Sequence, residues 1–172
     1  MENREIPDLY WFAVHVKSRH EFKVLQRLTG AGIETFLPAV ERLSRWKDRN
    51  KLVQFPLFPC YLFVHTTESN HDKLTVLKTN GVVRFLGALP GEPEQIPEEQ
   101  IFSLRKVVEN NENLDPYPYL REGQRVRITK GPLAGVEGIL VEKAGLHKLV
   151  LSVDILCQSA AVTIQASEVE KI

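Results

Sequence analysis

Arg19, Lys23 and Arg27 recur every four residues, with Lys17 and His20 beside them. In a helix that spacing puts three cations on one face. Such a face can hold an anionic surface, and a nucleic-acid phosphate backbone is the natural one. A solvated face without a partner is the other reading of the same stripe. A second basic run, residues 42–51, carries five cations, one anion and Trp46. Cations interleaved with an aromatic can grip a nucleic-acid strand. Arg45, Lys47 and Arg49 are its candidate contacts, and a bare hairpin tip accounts for it equally well.

Reactive chemistry has no comparable pattern. His15, His20, His65, His71 and His147 are scattered. There is no phosphate-binding loop, no nucleophile elbow and no metal-ligand spacing. Glu98 and Glu99 fit the start of a helix better than acid–base work. Cys60 and Cys157 lie far apart without ligand spacing, which reads as two free thiols in a reducing compartment. The expectation is a non-enzyme with no catalytic group, no metal and no cofactor.

Apolar docking is the remaining chemistry. Phe55-Pro56-Leu57-Phe58-Pro59-Cys60-Tyr61-Leu62-Phe63-Val64 sets two prolines and three aromatics ahead of strand formers. The prolines cannot donate ladder hydrogen bonds and belong at a strand entrance. Phe58 and Tyr61 there suggest an apolar surface for a partner. Core packing is the competing explanation.

The whole chain narrows these options. Its 172 residues carry 22 basic and 22 acidic side chains, a formal net charge of zero. A balanced chain is a poor autonomous binder of nucleic acid, which takes many phosphate contacts. The 43% hydrophobic content supports a packed core. The N-terminus has no apolar signal core, and no run reaches the ~18–20 apolar residues of a membrane span. A soluble cytoplasmic protein without a membrane partner is expected.

The elements that must position these groups follow from pattern. Residues 10–16 read as a strand. Ser18 with Glu21 three residues on has the capping-box form, opening a helix to about Ala31 with Val24, Leu25 and Leu28 as its apolar stripe. Gly32 stops it. Residues 33–40 read as a strand, 42–51 as a long hairpin tip, and 52–55 and 61–64 as further strands. A short helix over 72–78, a strand over 82–86 and a helix from Pro97 to about Asn110 complete the first part. Residues 111–120 hold asparagines and prolines without apolar periodicity and read as a flexible linker. Beyond it Val126/Ile128, Leu149/Leu151/Val153/Ile155 and Val162/Ile164 alternate with polar or small residues, the pattern of a small all-β barrel.

Two ordered features carry a family resemblance. Gly123-Gln124-Arg125-Val126-Arg127-Ile128, followed by Gly131-Pro132-Leu133-Ala134-Gly135-Val136-Glu137-Gly138, resembles the KOW motif. Trp11, Phe58-Pro59-Cys60-Tyr61 and Asn80-Gly81-Val82-Val83-Arg84-Phe85-Leu86-Gly87 look like the NGN domain of NusG-type elongation factors. The resemblance implies an α+β chain. Residues 1–110 would form an NGN domain, a mostly antiparallel sheet flanked by helices. Residues 111–120 would be the linker, and 121–172 a five-stranded SH3-like KOW barrel with Gly131, Gly135 and Gly138 in its loop. It further implies a monomeric factor that rides on bacterial RNA polymerase, suppresses pausing and promotes antitermination.

Residue by residue, Trp11, Phe58, Pro59, Tyr61 and Phe85 match positions that dock on the clamp helices of the largest polymerase subunit. Asp72, Lys73, Leu74 and Thr75 match the gate-loop contact, with Lys73 and Thr75 as its contacts. Lys17, Arg19, His20, Lys23 and Arg27 match the surface facing non-template DNA, and the 42–51 run would face upstream DNA. Cys60 stands where the family usually has glycine. Pro-Leu-Phe-Pro-x-Tyr-Leu-Phe-Val is closer to specialised RfaH-like paralogs than to housekeeping NusG. Ile155-Leu156-Cys157-Gln158 replaces the Phe-Gly tip that engages NusE and Rho. That argues against Rho and leaves NusE as a candidate through Ile155 and Leu156. Two alternatives stay open: a housekeeping NusG serving Rho-dependent termination, and a KOW-type ribosome or RNA-binding protein. The glycines and Pro132 of the last segment disfavour a helical state by roughly 1 and 3 kcal/mol each, so a β fold is expected there.

Overall fold

The computed structural model describes residues 8–45, 50–89, 91–110, 114–120 and 123–172. Lys47 and Arg49 lie outside the described residues, as do 111–113 of the linker segment. The chain divides into two compact units, residues 1–37 with 59–97 and residues 38–58 with 98–172.

The first unit is built on β1 (Tyr10–Val16), whose YWFAVHV sequence is buried along nearly its whole length. A strand apolar on both faces belongs at a sheet centre. β1 pairs antiparallel with β5 (Tyr61–Thr66), β6 (Val82–Phe85) and β7 (Gln95–Ile96), and β5 pairs with β2 (Glu34–Phe36). The core on one face gathers Phe12, Val14 and Val16 of β1 with Leu62 and Val64 of β5. Two helices flank the sheet in sequence. α1 (Glu21–Gly30) buries Val24 and Leu28 in the same core, and α2 (Asn70–Lys78) buries Val76 there.

α1 begins later than its sequence signal. His20, not Ser18, is the N-cap, and no side chain caps it. Arg19 takes a left-handed backbone, φ 61°, so residues 17–20 make a turn closed by His20 N donating to the Lys17 carbonyl at 3.0 Å. Glu21 is drawn to a tertiary partner, described below. α2 is capped as a helix should be. Ser69 accepts from the Asp72 amide at 3.2 Å, and the Thr67 hydroxyl donates to the Asp72 carboxylate. Hydrogen bonds from Thr67 and then Ser69 hold the Asp72 carboxyl below its ordinary value. A depressed carboxyl contributes stability above its unfolded pKa of about 3.9 and loses it as pH falls through the folded value. Thermal melts should therefore show wild type above Asp72→Asn at neutral pH, with the gap closing below about pH 4.

In the second unit, β3 (Ala39–Arg45) and β4 (Asn50–Pro56) form a ladder from Ala39↔Pro56 to Arg45↔Asn50. Most of the expected hairpin tip is thus paired strand. The strand expected over 33–40 is divided between β2 and β3, with Pro38, which has no N–H to give a ladder, between them. α3 (Glu98–Asn110) buries Ile101, Ser103, Leu104 and Val107.

β8 (Asp115–Tyr117), β9 (Gln124–Ile128), β10 (Glu137–Lys143), β11 (Leu146–Val153), β12 (Gln158–Ile164) and β13 (Val169–Lys171) follow. They form one antiparallel sheet in the order β13-β9-β10-β11-β12-β8. This differs from the expected five-stranded barrel: there are six strands, and among the described residues the end strands β13 and β8 do not pair with each other. The extra strand lies in the segment read as linker. Pro116 pairs opposite Ala160 on an edge strand, where proline is tolerated. Gly138 is fixed by close approach, because a Cβ there would sit 2.6 Å from the Val150 carbonyl oxygen. α3 rests on this sheet: Gln100 Nε2 donates to Asp154 at 3.3 Å, Lys106 to the Ala134 carbonyl, and the Glu137 amide reaches Ser103 Oγ at 3.4 Å.

Candidate docking surface and basic face

Sheet alternation decides which aromatics share a face. Along β1, Trp11, Ala13 and His15 point opposite to Phe12, Val14 and Val16. β5 places His65 opposite Trp11 and Tyr61 opposite His15, while β6 places Phe85 opposite Val14. Tyr61 and Trp11 therefore lie on one face and Phe85 on the other, where it meets Phe12 edge-on at 5.9 Å. The five residues matched to clamp docking do not make one patch.

Burial separates them further. Trp11 is 5% exposed and stacks flat on the His65 ring at 4.6 Å. His65 in turn meets Glu34 at 2.8 Å. Phe58 is 1% exposed, on a segment pinned where the Leu57 amide donates to the Pro38 carbonyl at 2.8 Å. As exposed anchors, Trp11 and Phe58 are corrected: in this structure they are packed side chains. Pro59 is exposed, and Tyr61 is half-buried. Tyr61 packs on His15, ring centroids 5.3 Å apart. His15 was read from sequence as a plain strand residue. Only its register opposite Tyr61 gives it a place in the surface.

The strand entrance is held by a buried carboxylate. Glu21 is 5% exposed, and its Oε1 accepts from the Cys60 amide at 2.9 Å. It also sits in the first turn of α1, where a negative charge is favoured. Cys60 needs that hold, because its φ is 68°, a left-handed conformation that costs a side-chain residue about 1–2 kcal/mol. Cys60→Gly should therefore raise stability by about 0.5–1 kcal/mol, while Cys60→Ala keeps the strain and gains nothing. Urea melts of the two variants would show the difference.

The basic face forms around α1. Lys17, Arg19, Lys23 and Arg27 are exposed and His20 is half-buried. Two of these groups already have bonds. His20 Nδ1 donates to the Ser18 carbonyl at 3.0 Å, and Arg27 Nη1 donates to the Asn80 carbonyl at 2.5 Å. Lys17, Arg19 and Lys23 are the free cations of the set. Gly81 lets the Asn80–Gly81 turn approach α1, since a Cβ there would meet Val24 Cγ2 at 2.7 Å. Of the second basic run, Arg45 closes β3. The matched gate-loop residues are engaged internally: Lys73 lies 5.6 Å from the Phe12 ring centroid, and Thr75 Oγ1 donates to the His71 carbonyl at 3.1 Å.

In the second unit, Gly131 and Gly135 shape the loop between β9 and β10, where the Gly135 amide donates to the Ile128 carbonyl at 2.7 Å. Ile155 and Leu156 lie in a 3-10 turn, Asp154–Leu156, with Leu156 buried and Ile155 half-buried. Among the described residues no group of three or more His, Cys, Asp or Glu could hold a metal, and no helix is long and apolar enough to cross a membrane.

Residues 9–105 match the family model NusG, described as transcription termination factor nusG. The chain is 26% identical to the transcription termination/antitermination protein NusG of Pseudomonas aeruginosa, covering 94% of this chain and 98% of that protein. It is 28% identical to the protein of the same name from Chlamydia trachomatis, over 77% of each. A solved structure described as domain interaction in Thermotoga maritima NusG superposes with a TM-score of 0.52 at 21% identity, covering 96% of this chain and 98% of that one. That likeness shows the fold.

Proposed function

The chain belongs to the NusG family of transcription termination factors, and on that premise we propose that it is a non-enzymatic elongation factor that docks on bacterial RNA polymerase, suppresses pausing and promotes antitermination. The observation that carries the reading is the Pro59–Tyr61–His15 surface. It is a partly exposed aromatic pair on a strand entrance locked by Glu21. A rigid aromatic beside apolar neighbours is the kind of anchor that dominates an interface. In this reading Tyr61 and Pro59 meet the clamp helices, with Trp11 and Phe58 as packing. Lys73 and Thr75 lie toward the gate loop.

Lys17, Arg19 and Lys23 supply the phosphate contacts to non-template DNA within the assembled complex. The chain's zero net charge fits a protein that meets DNA only when the polymerase presents it. The strand-entrance sequence supports a specialised RfaH-like member acting on selected operons. Housekeeping service with Rho is the second reading, and the termination/antitermination names of the relatives favour it equally. NusE is the proposed partner of Ile155 at the C-terminal tip.

The account treats pause suppression as differential affinity: the factor binds the elongating polymerase more tightly than the paused one. Single-round transcription on a template with a defined pause tests it. Pause half-life should shorten when the full chain is added. An unchanged half-life at saturating chain would refute the proposal.

A further inference from the structure

α2 is apolar on two sides. Val76 is fully buried, whereas Leu74 and Leu77 are 49% and 40% exposed. Their outer sides face Phe85, Leu89 and Pro93 across a cavity of about 730 Å³. That volume falls within the ~300–1,000 Å³ typical of built binding sites. Leu89 is itself 58% exposed. Contiguous apolar surface left open to water marks an interaction site.

The charges on this cavity are unequal. Lys73 and Arg84 line it against a single anion, Glu92. Among the described residues neither cation forms an ion pair. Lys73 has only the Phe12 ring beneath it. An apolar floor bearing two uncompensated cations is complementary to aliphatic side chains flanked by carboxylates.

We propose that this groove between α2 and residues 87–93 is a second docking site, which takes an acidic amphipathic segment of a partner protein. Its aliphatic side chains fill the space between Leu74, Leu77 and Leu89. Its carboxylates reach Lys73 and Arg84. The site is separate from the Pro59–Tyr61 surface, because the groove residue Phe85 lies on the opposite face of the sheet. Lys73 alone is shared with the polymerase reading.

The test uses the full chain, isotope-labelled for NMR, and two synthetic peptides. One alternates leucine pairs with glutamates, and the other replaces each glutamate by lysine. The glutamate peptide should shift the amides of Leu74, Leu77, Arg84 and Leu89. The lysine peptide should bind about tenfold more weakly or worse. Leu77→Ser and Arg84→Glu should each weaken the glutamate peptide by about tenfold or more. Both side chains are on the outside of the fold, so unchanged melting of the variants is expected. Equal binding of the two peptides, shifts confined to another face, or no shift at millimolar peptide would overturn the proposal. So would concentration-dependent dimerisation that Leu77→Ser abolishes, because the groove would then belong to a second copy of the chain.

Discussion

Phe58→Ala should lower the stability of the chain by about 3–5 kcal/mol, the cost of removing a buried phenyl ring and leaving its cavity. Phe58 is 1% exposed, and the neighbouring backbone is fixed by the Leu57–Pro38 hydrogen bond, so the site has little freedom to collapse around the loss. Against a typical total of ~5–15 kcal/mol, this is a large fraction. The urea midpoint should fall while the slope of the transition stays constant. A loss below about 1 kcal/mol would mean that the ring is not packed as the structure has it. The prediction also guards the functional argument. Loss of partner binding in a Phe58 variant reports unfolding as much as contact, so it cannot identify the anchor.

Tyr61→Ala is expected to separate the two. Tyr61 is half-buried on His15 at the surface end of β5, and its removal should leave the sheet folded. Truncating an aromatic anchor costs about 2–4 kcal/mol of binding, roughly thirtyfold or more in affinity. The expected outcome is a variant that melts cooperatively, close to wild type, and fails to hold the polymerase. A variant that binds normally would move the anchor elsewhere on the surface.

Local pattern carried much of the fold. β1 was legible because an uninterrupted apolar run can only be a buried strand or helix segment, and its length favours the strand. α1 was legible from the Val24/Leu28 stripe. Its first residue was not, because the backbone of Arg19 and the tertiary bond from Glu21 to Cys60 override a local capping pattern. β8 was hidden because Asp115-Pro116-Tyr117 has the composition of a linker, and only its position opposite Ala160 makes it an edge strand.

The candidate site was legible in part for the same reason. Aromatic identity at Trp11, Phe58, Tyr61 and Phe85 could be read along the chain. Which of them face water depends on sheet alternation and on burial by residues distant in sequence. His15 entered the surface through a partner in another strand, and no spacing rule along one strand could supply it. The basic face was read as one stripe, yet Arg27 is taken up by the Asn80 carbonyl. Charge spacing on a helix does not reveal which cations already have acceptors.

The central claim is that the surface around Tyr61 binds the polymerase. The most direct test is titration of the isolated clamp helices of the largest polymerase subunit into the full chain, followed by fluorescence or calorimetry. The wild-type chain should bind, Tyr61→Ala should bind about thirtyfold more weakly or not at all while remaining folded, and Phe85→Ala, on the other face of the sheet, should bind much as wild type does. Equal binding by wild type and a folded Tyr61→Ala, or no binding by wild type, would contradict the account.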